Sequence, residues 1–170
     1  AYHLAIYISG LKGDKIFADI KNFSKKIKGD ANAQAMVNFN NQAKGMFWIS
    51  SVPRGGVYGL KIRIFGSKGS LEWIQNNPEY LKFNPSKGAV KLLEKGFFEA
   101  DFSKKFARVK YGHPEGYIDA FANIYNEFAK CLKLNKKYQR FYPNEDEGFE
   151  TAKFIEACKI SSKRKKWVKI

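Results

Sequence analysis

The most constraining feature of this chain is a run of apolar residues at helical spacing between positions 112 and 132, GHPEGYIDAFANIYNEFAKCL. Ile118, Phe121, Ala122, Tyr125, Phe128, Ala129 and Leu132 recur at steps of three and four, while Asp119, Asn123, Asn126, Glu127 and Lys130 fall on the other side. That is the pattern of an amphipathic helix. Pro114 suits the first helical position, where no N–H is needed, and Glu115 places a negative charge at the positive end of the helix dipole. A stripe carrying the rings of Phe121, Tyr125 and Phe128 demands a broad apolar partner, and a β-sheet is the expected one.

The rest of the chain supplies the strands. Residues 2–11 read as a helix stopped by Gly10 and Gly13, so the chain is expected to begin inside an element that something precedes. Residues 15–21 alternate as a strand. Ala33, Ala35, Val37 and Phe39 alternate with Gln34, Met36 and Asn38 and lead through residues 40–45 into a partner strand at 46–51, a hairpin. A glycine-rich connection, VPRGGVYG, follows. Leu60, Ile62 and Ile64 then open a second hairpin through the turn Gly66-Ser67-Lys68-Gly69 into Leu71 and Trp73. That turn is not a phosphate loop, which requires GxxxxGK[ST] between a strand and a helix. Two short strands, at 79–83 and 89–95, complete the set. After a lysine-rich linker, Asn144 caps a second helix whose first turn carries Glu145, Asp146 and Glu147 and whose end carries Lys163, Arg164, Lys165 and Lys166, matching the dipole at both ends.

These elements predict an α+β fold in one domain over residues 1–170: an open, mostly antiparallel β-sheet of about six strands with helices on one face. Met46, Trp48, Phe65 and Trp73 put apolar groups on both faces of some strands, so an open face is expected to pair with another subunit. No run of apolar residues is long enough to span a membrane and the start is not a signal peptide. Cys131 and Cys158, with no CxxC spacing and no nearby His, read as reduced core thiols of a cytoplasmic protein, neither a metal site nor a disulfide framework. The net charge of +15 raises nucleic acid as a partner, with the exposed aromatics as stacking platforms. It is carried almost wholly by lysine, however, and reads as a solvated surface, because base recognition favours arginine's bidentate fork.

The segments GLKIRIFGSKGSLEW (59–73), GHPEGYIDAFANIYNEFA (112–129) and YPNEDEGFETAKFIEACKISSKRKKWVKI (142–170), with the hairpin at 33–51, closely resemble the C-terminal domain of the Gfo/Idh/MocA oxidoreductases. The resemblance implies an open antiparallel sheet with flanking helices, preceded in the family by a Rossmann domain that binds NAD or NADP. It also implies hydride transfer to or from sugars, polyols or inositols, and homo-oligomers formed through the sheet. This sequence has no GxGxxG fingerprint, no βαβ unit and no EKP-like segment carrying the family's catalytic lysine. The histidine of the family's acidic-x-x-x-His motif would immediately precede Ala1, and His3 is not its equivalent. The expectation is therefore that the cofactor half lies outside this chain, that no catalytic or cofactor-binding residue lies within it, and that alone it is not a competent dehydrogenase.

Three residues remain as substrate-binding candidates. His113 stands at the start of the main helix, where an imidazole and helix N–H groups suit a substrate hydroxyl or carboxylate, or where it simply caps. Arg54 lies in the VPRGG connection, within reach of a sugar hydroxyl or free in solvent. Tyr117 offers a hydroxyl near the helix start, or packing. The alternative to a substrate-side oxidoreductase domain is a nonenzymatic oligomeric binding module on the same fold.

Overall fold

A computed structural model describes the chain except for residues 24, 25, 27, 54, 57, 58, 97–103, 111 and 135–139. The order of elements is α1 (Tyr2–Ser9), β1 (Gly13–Lys21), β2 (Asn32–Phe39), β3 (Lys44–Ser50), β4 (Lys61–Gly66), β5 (Gly69–Ile74), β6 (Tyr80–Pro85), β7 (Lys91–Glu94), α2 (Tyr117–Leu134), α3 (Glu145–Arg164) and β8 (Val168–Lys169). The fold is α+β with open antiparallel sheets. The strands form two four-stranded sheets, β3-β2-β1-β8 and β4-β5-β6-β7, where one sheet of about six was expected. Two compact units contain them, Ala1–Val57 with Pro143–Ile170, and Tyr58–Tyr142.

In the first unit one face of the sheet carries the core. Ile16 and Val37 are paired neighbours, as are Ala18 and Ala35, and all four are buried together with Tyr2 from α1 and Phe154, Ala157 and Cys158 from α3. The Tyr2 ring stacks on Phe154 at 3.9 Å, and Phe47 meets Phe154 edge-on at 5.5 Å. Gly13 is required where the chain enters β1: a Cβ there would stand 2.7 Å from Ile170 Cδ1 and 2.8 Å from the Tyr2 hydroxyl. Helix α3 begins as its sequence predicts. Asn144 Oδ1 accepts the Glu147 N–H, and the Glu147 carboxylate accepts the Asn144 N–H, each at 2.8 Å, a reciprocal capping box.

Strand β8 is only two residues long and covers β1 only at Lys15 and Ile16. Farther along that edge, α3 takes over the pairing. Ser161 Oγ accepts the Ala18 N–H at 2.9 Å and donates to the Lys166 carbonyl at 2.7 Å, and Ser162 Oγ accepts the Ile20 N–H at 2.8 Å. Two serines on the helix thus satisfy strand amides that would otherwise be unpaired in the interior.

The outer face of this sheet bears a different row. Phe17, Met36 and Met46 are aligned across β1, β2 and β3, and Gln34 and Trp48 stand opposite each other beside them. Met46 is 86% exposed and Trp48 69%, which agrees with the apolar second face expected from the sequence.

The second unit is a meander, each strand pairing antiparallel with the next. The Gly66-Ser67-Lys68-Gly69 turn joins β4 to β5 as a hairpin. Helix α2 departs from the sequence reading in two respects. It starts at Tyr117 rather than Pro114, with the first helical hydrogen bond running from Ala120 N–H to the Gly116 carbonyl. Its apolar stripe also points outward: Ile118 is 82% exposed and Tyr125 70%, with Phe121, Phe128 and Leu132 exposed as well. The polar side of the helix is tied to the preceding segment through Asn123. Asn123 Nδ2 donates to the Phe106 carbonyl at 2.7 Å, and Glu127, only 3% exposed, pairs with Lys130 at 2.8 Å. Among the described residues of this unit, no apolar side chain is fully buried. No described helix is long and apolar enough to cross a membrane.

Two stability measurements follow from the first unit. Ser161→Ala leaves the buried Ala18 N–H without its acceptor and is expected to cost about 1–3 kcal/mol in a urea titration; an unchanged midpoint would show that the contact contributes nothing. Burial pushes the Cys158 thiol from its ordinary 9.0 up to about 11. Between those values the folded state keeps a proton that the unfolded chain has lost, so stability is full below the lower value and falls as pH rises through the upper one. Burial also raises the Tyr2 hydroxyl, which acts in the same direction. Cys158→Ala should therefore flatten the decline in urea midpoint between the two values, 9.0 and about 11, and an identical slope in the variant would exclude the thiol as a cause.

Candidate functional site

The approach to α2 is a turn rather than a first helical coil, and it presents two of the three candidates. The His113 N–H donates to the Lys110 carbonyl at 3.2 Å, and its Nδ1 lies 3.2 Å from the same oxygen, leaving an exposed ring. Tyr117, four residues on, is also exposed, and its ring packs on Phe121 with 4.8 Å between centroids. Arg54 lies outside the described residues.

Between His113 and Tyr117 stands the residue whose role the sequence concealed. Glu115 was expected to serve the helix dipole, but the helix begins two residues later and the side chain turns away from it. One carboxylate oxygen accepts the backbone N–H groups of Arg108 and Val109, the latter at 3.0 Å, and the other oxygen pairs with Lys95 Nζ. The backbone N–H of Glu115 donates to Glu79 Oε1 at 3.0 Å, and Lys95 Nζ lies 3.8 Å from Glu79 Oε2. Glu79 lies just before β6 and Lys95 just after β7, joined by a backbone bond from Lys95 N–H to the Glu79 carbonyl at 2.8 Å. The dipole role passes to Asp119, whose carboxylate accepts the Gly116 N–H at 3.1 Å. A glutamate between proline and glycine was the available signal, since Gly116 disfavours continuing a helix through this point.

A cavity of about 330 Å³ adjoins this cluster, walled by Trp73, Tyr80, Leu81, Leu93 and Phe106 with Glu79, Lys95 and Glu115 on its polar side. Neither His113 nor Tyr117 lines it. What the turn itself offers is an exposed imidazole and a phenol hydroxyl, each able to donate to or accept from a substrate hydroxyl. Among the described residues, no group of three or more His, Cys, Asp or Glu is placed to hold a metal ion. Every strand pairing is antiparallel. No described helix follows a strand through a glycine-rich phosphate turn.

Comparison with known proteins agrees with this architecture. Residues 14–170 match the family model described as the oxidoreductase family, C-terminal alpha/beta domain. The uncharacterised oxidoreductase YfiI of Bacillus subtilis is 28% identical over 165 residues, 92% of this chain but 42% of its own length. An oxidoreductase from Sinorhizobium meliloti superposes with a TM-score of 0.93 at 36% identity, over 99% of this chain and 50% of that one. An inositol dehydrogenase homolog from Azotobacter vinelandii, solved with NADH and myo-inositol, gives 0.92 at 27% identity, over 99% of this chain and 47% of that one. The chain thus spans about half the length of these relatives. With its antiparallel sheets, its capped C-terminal helix and the GHPEG turn all inside the matched region, the chain belongs to the Gfo/Idh/MocA oxidoreductase family and carries its C-terminal α/β domain.

Proposed function

We propose that this chain is the substrate-side and oligomerisation domain of an NAD(P)-dependent oxidoreductase acting on a sugar, polyol or inositol-like compound. The observation that carries the reading is the outward stripe of α2. A helix that turns Ile118, Phe121, Tyr125 and Phe128 outward and keeps Glu127 inside is built for an apolar surface that the described residues of its own unit do not provide. The matched relatives are about twice as long as this chain, so the surface that covers the stripe is assigned to the remainder of a longer protein. His113 and Tyr117 stand at the head of that same helix, where a substrate held at the junction would meet them. The Azotobacter vinelandii homolog binds NADH and myo-inositol, which supports the cofactor and substrate class.

In this reading the nicotinamide cofactor accepts or supplies the hydride, and it is held outside this chain. The residues here bind and orient: His113 and Tyr117 hydrogen-bond substrate hydroxyls. The outer face of the first unit's sheet, with Met36, Met46 and Trp48, forms the contact with a second copy.

The test compares this chain with the protein at the length its gene encodes, assaying NAD⁺ and NADP⁺ reduction over a polyol and sugar panel led by myo-inositol. Turnover is expected from the longer product only, and His113→Asn should raise KM by at least about tenfold, the loss of one hydrogen bond. A longer product inert on every compound with either cofactor, or turnover by this chain alone, would overturn the reading. For the sheet face, Trp48→Lys combined with Met46→Lys should convert an oligomer to monomer in sedimentation velocity. If the variant keeps the parent's assembly, the contact lies elsewhere.

A further inference from the structure

We propose that Glu115 is a positioning residue for this site, acting through His113; the proposal rests on the reading of His113 as a substrate contact. The geometry is a closed strap. Glu115 takes the N–H groups of Arg108 and Val109 on one carboxylate oxygen, so a single side chain ties these two residues to the turn that leads into α2. His113 lies in that turn, folded back on the Lys110 carbonyl. The strap is itself fastened to the sheet: Lys95 pairs with the second carboxylate oxygen, and Glu79 accepts the Glu115 N–H. The Glu115 side chain is only 11% exposed, so its three donors are held with little competition from water.

The chemistry at Glu115 requires a carboxylate. Two amide N–H groups approach one oxygen and an ammonium approaches the other, all of them donors. A glutamine of the same shape has one acceptor oxygen and an NH₂ group, which must face either the paired amides or Lys95 with donor against donor. Glu115→Gln therefore loosens the strap while keeping its volume. An exposed imidazole on a loosened turn samples many orientations, and a contact that depends on one of them is weakened.

The experiment uses the protein at its gene-encoded length with myo-inositol as the probe, or the polyol from the panel that it turns over best. Glu115→Gln is expected to raise KM about tenfold while kcat stays within about twofold, the signature of lost binding rather than lost chemistry. The decisive measurement is the double-mutant cycle. In a His113→Asn background, Glu115→Gln should add less than about twofold to KM, because the residue through which it acts is already gone. In the ligand-free protein, the His113 ring signals in NMR should shift and broaden in Glu115→Gln while signals of the first unit stay fixed. Lys95→Met, which leaves the amide bonds in place, provides a milder variant and should move KM in the same direction by less. Silence of Glu115→Gln in KM and ring signals, or a full tenfold effect repeated on His113→Asn, overturns the positioning role and leaves the His113 reading intact. Silence of His113→Asn itself overturns both.

Discussion

The first unit depends on a helix standing in for a strand. An eight-residue β2 pairs with the whole length of β1 on one side, but β8 reaches only two residues of β1 on the other. Without a partner, Ala18 and Ile20 would each leave a buried or half-buried N–H unsatisfied, at a cost comparable to any single packing contact in the core. Ser161 and Ser162 remove that cost. Because Ser161 Oγ also donates to the Lys166 carbonyl, the same atom ends α3 and directs the chain into β8. The register of α3 on the sheet then places Phe154, Ala157 and Cys158 over Ile16 and Val37, and Phe154 under Tyr2. Polar specificity at one edge thereby sets the apolar packing of the whole face.

The second unit is organised differently, and the contrast is physical rather than topological. Its strands pair regularly, yet no apolar side chain described there is fully buried, and Asn123 ties its helix to the Phe106 carbonyl. An amphipathic stripe records only that a helix will meet something apolar. It does not record whether that surface lies in the same segment of chain, elsewhere in the protein or on another copy. In the first unit, periodicity and core coincide. In the second, Ile118, Phe121, Tyr125, Phe128 and Leu132 keep the spacing of a helix seam with nothing described in that unit to fill it.

That difference explains how much could be read in advance. The strands, the hairpin at Gly66–Gly69, the Asn144 cap and the outer-face exposure of Met46 and Trp48 were legible because each is set by local alternation or turn chemistry. The start of α2 was misread because Pro114 and Glu115 satisfy the rules for a helix N-terminus equally well when they belong to a turn. Tertiary hydrogen bonds from Lys95 and Glu79, twenty and thirty-six residues away in sequence, decided the matter. His113 and Tyr117 were proposed from the motif that contains them, and the structure places both as exposed side chains at the approach to α2. Glu115 was in view in the same motif and was assigned the wrong task, since nothing in spacing announces a side chain that bonds backwards to Arg108 and Val109. The division of the strands into two sheets was likewise invisible, because strand order along a chain does not say where one hydrogen-bonded ladder stops.

The two uncovered apolar surfaces also differ in what they can accept. A flat sheet face bearing an aligned row of Phe17, Met36 and Met46 suits another sheet, packed at about 10 Å with side chains interleaved. Met is well matched to such a contact, since its flexible thioether adapts to an imperfect fit. A helix stripe at three-and-four spacing suits the ridges and grooves of another helix. A twofold contact would set the first surface against its own copy, whereas the second belongs to a helix that begins at Tyr117, four residues after His113. On the proposed reading, a partner settling along α2 excludes water from the hydrogen bonds that these two side chains are proposed to make. A site built that way is complete only when the stripe is covered, because the proposed binding groups lie at the start of α2 and in the turn before it.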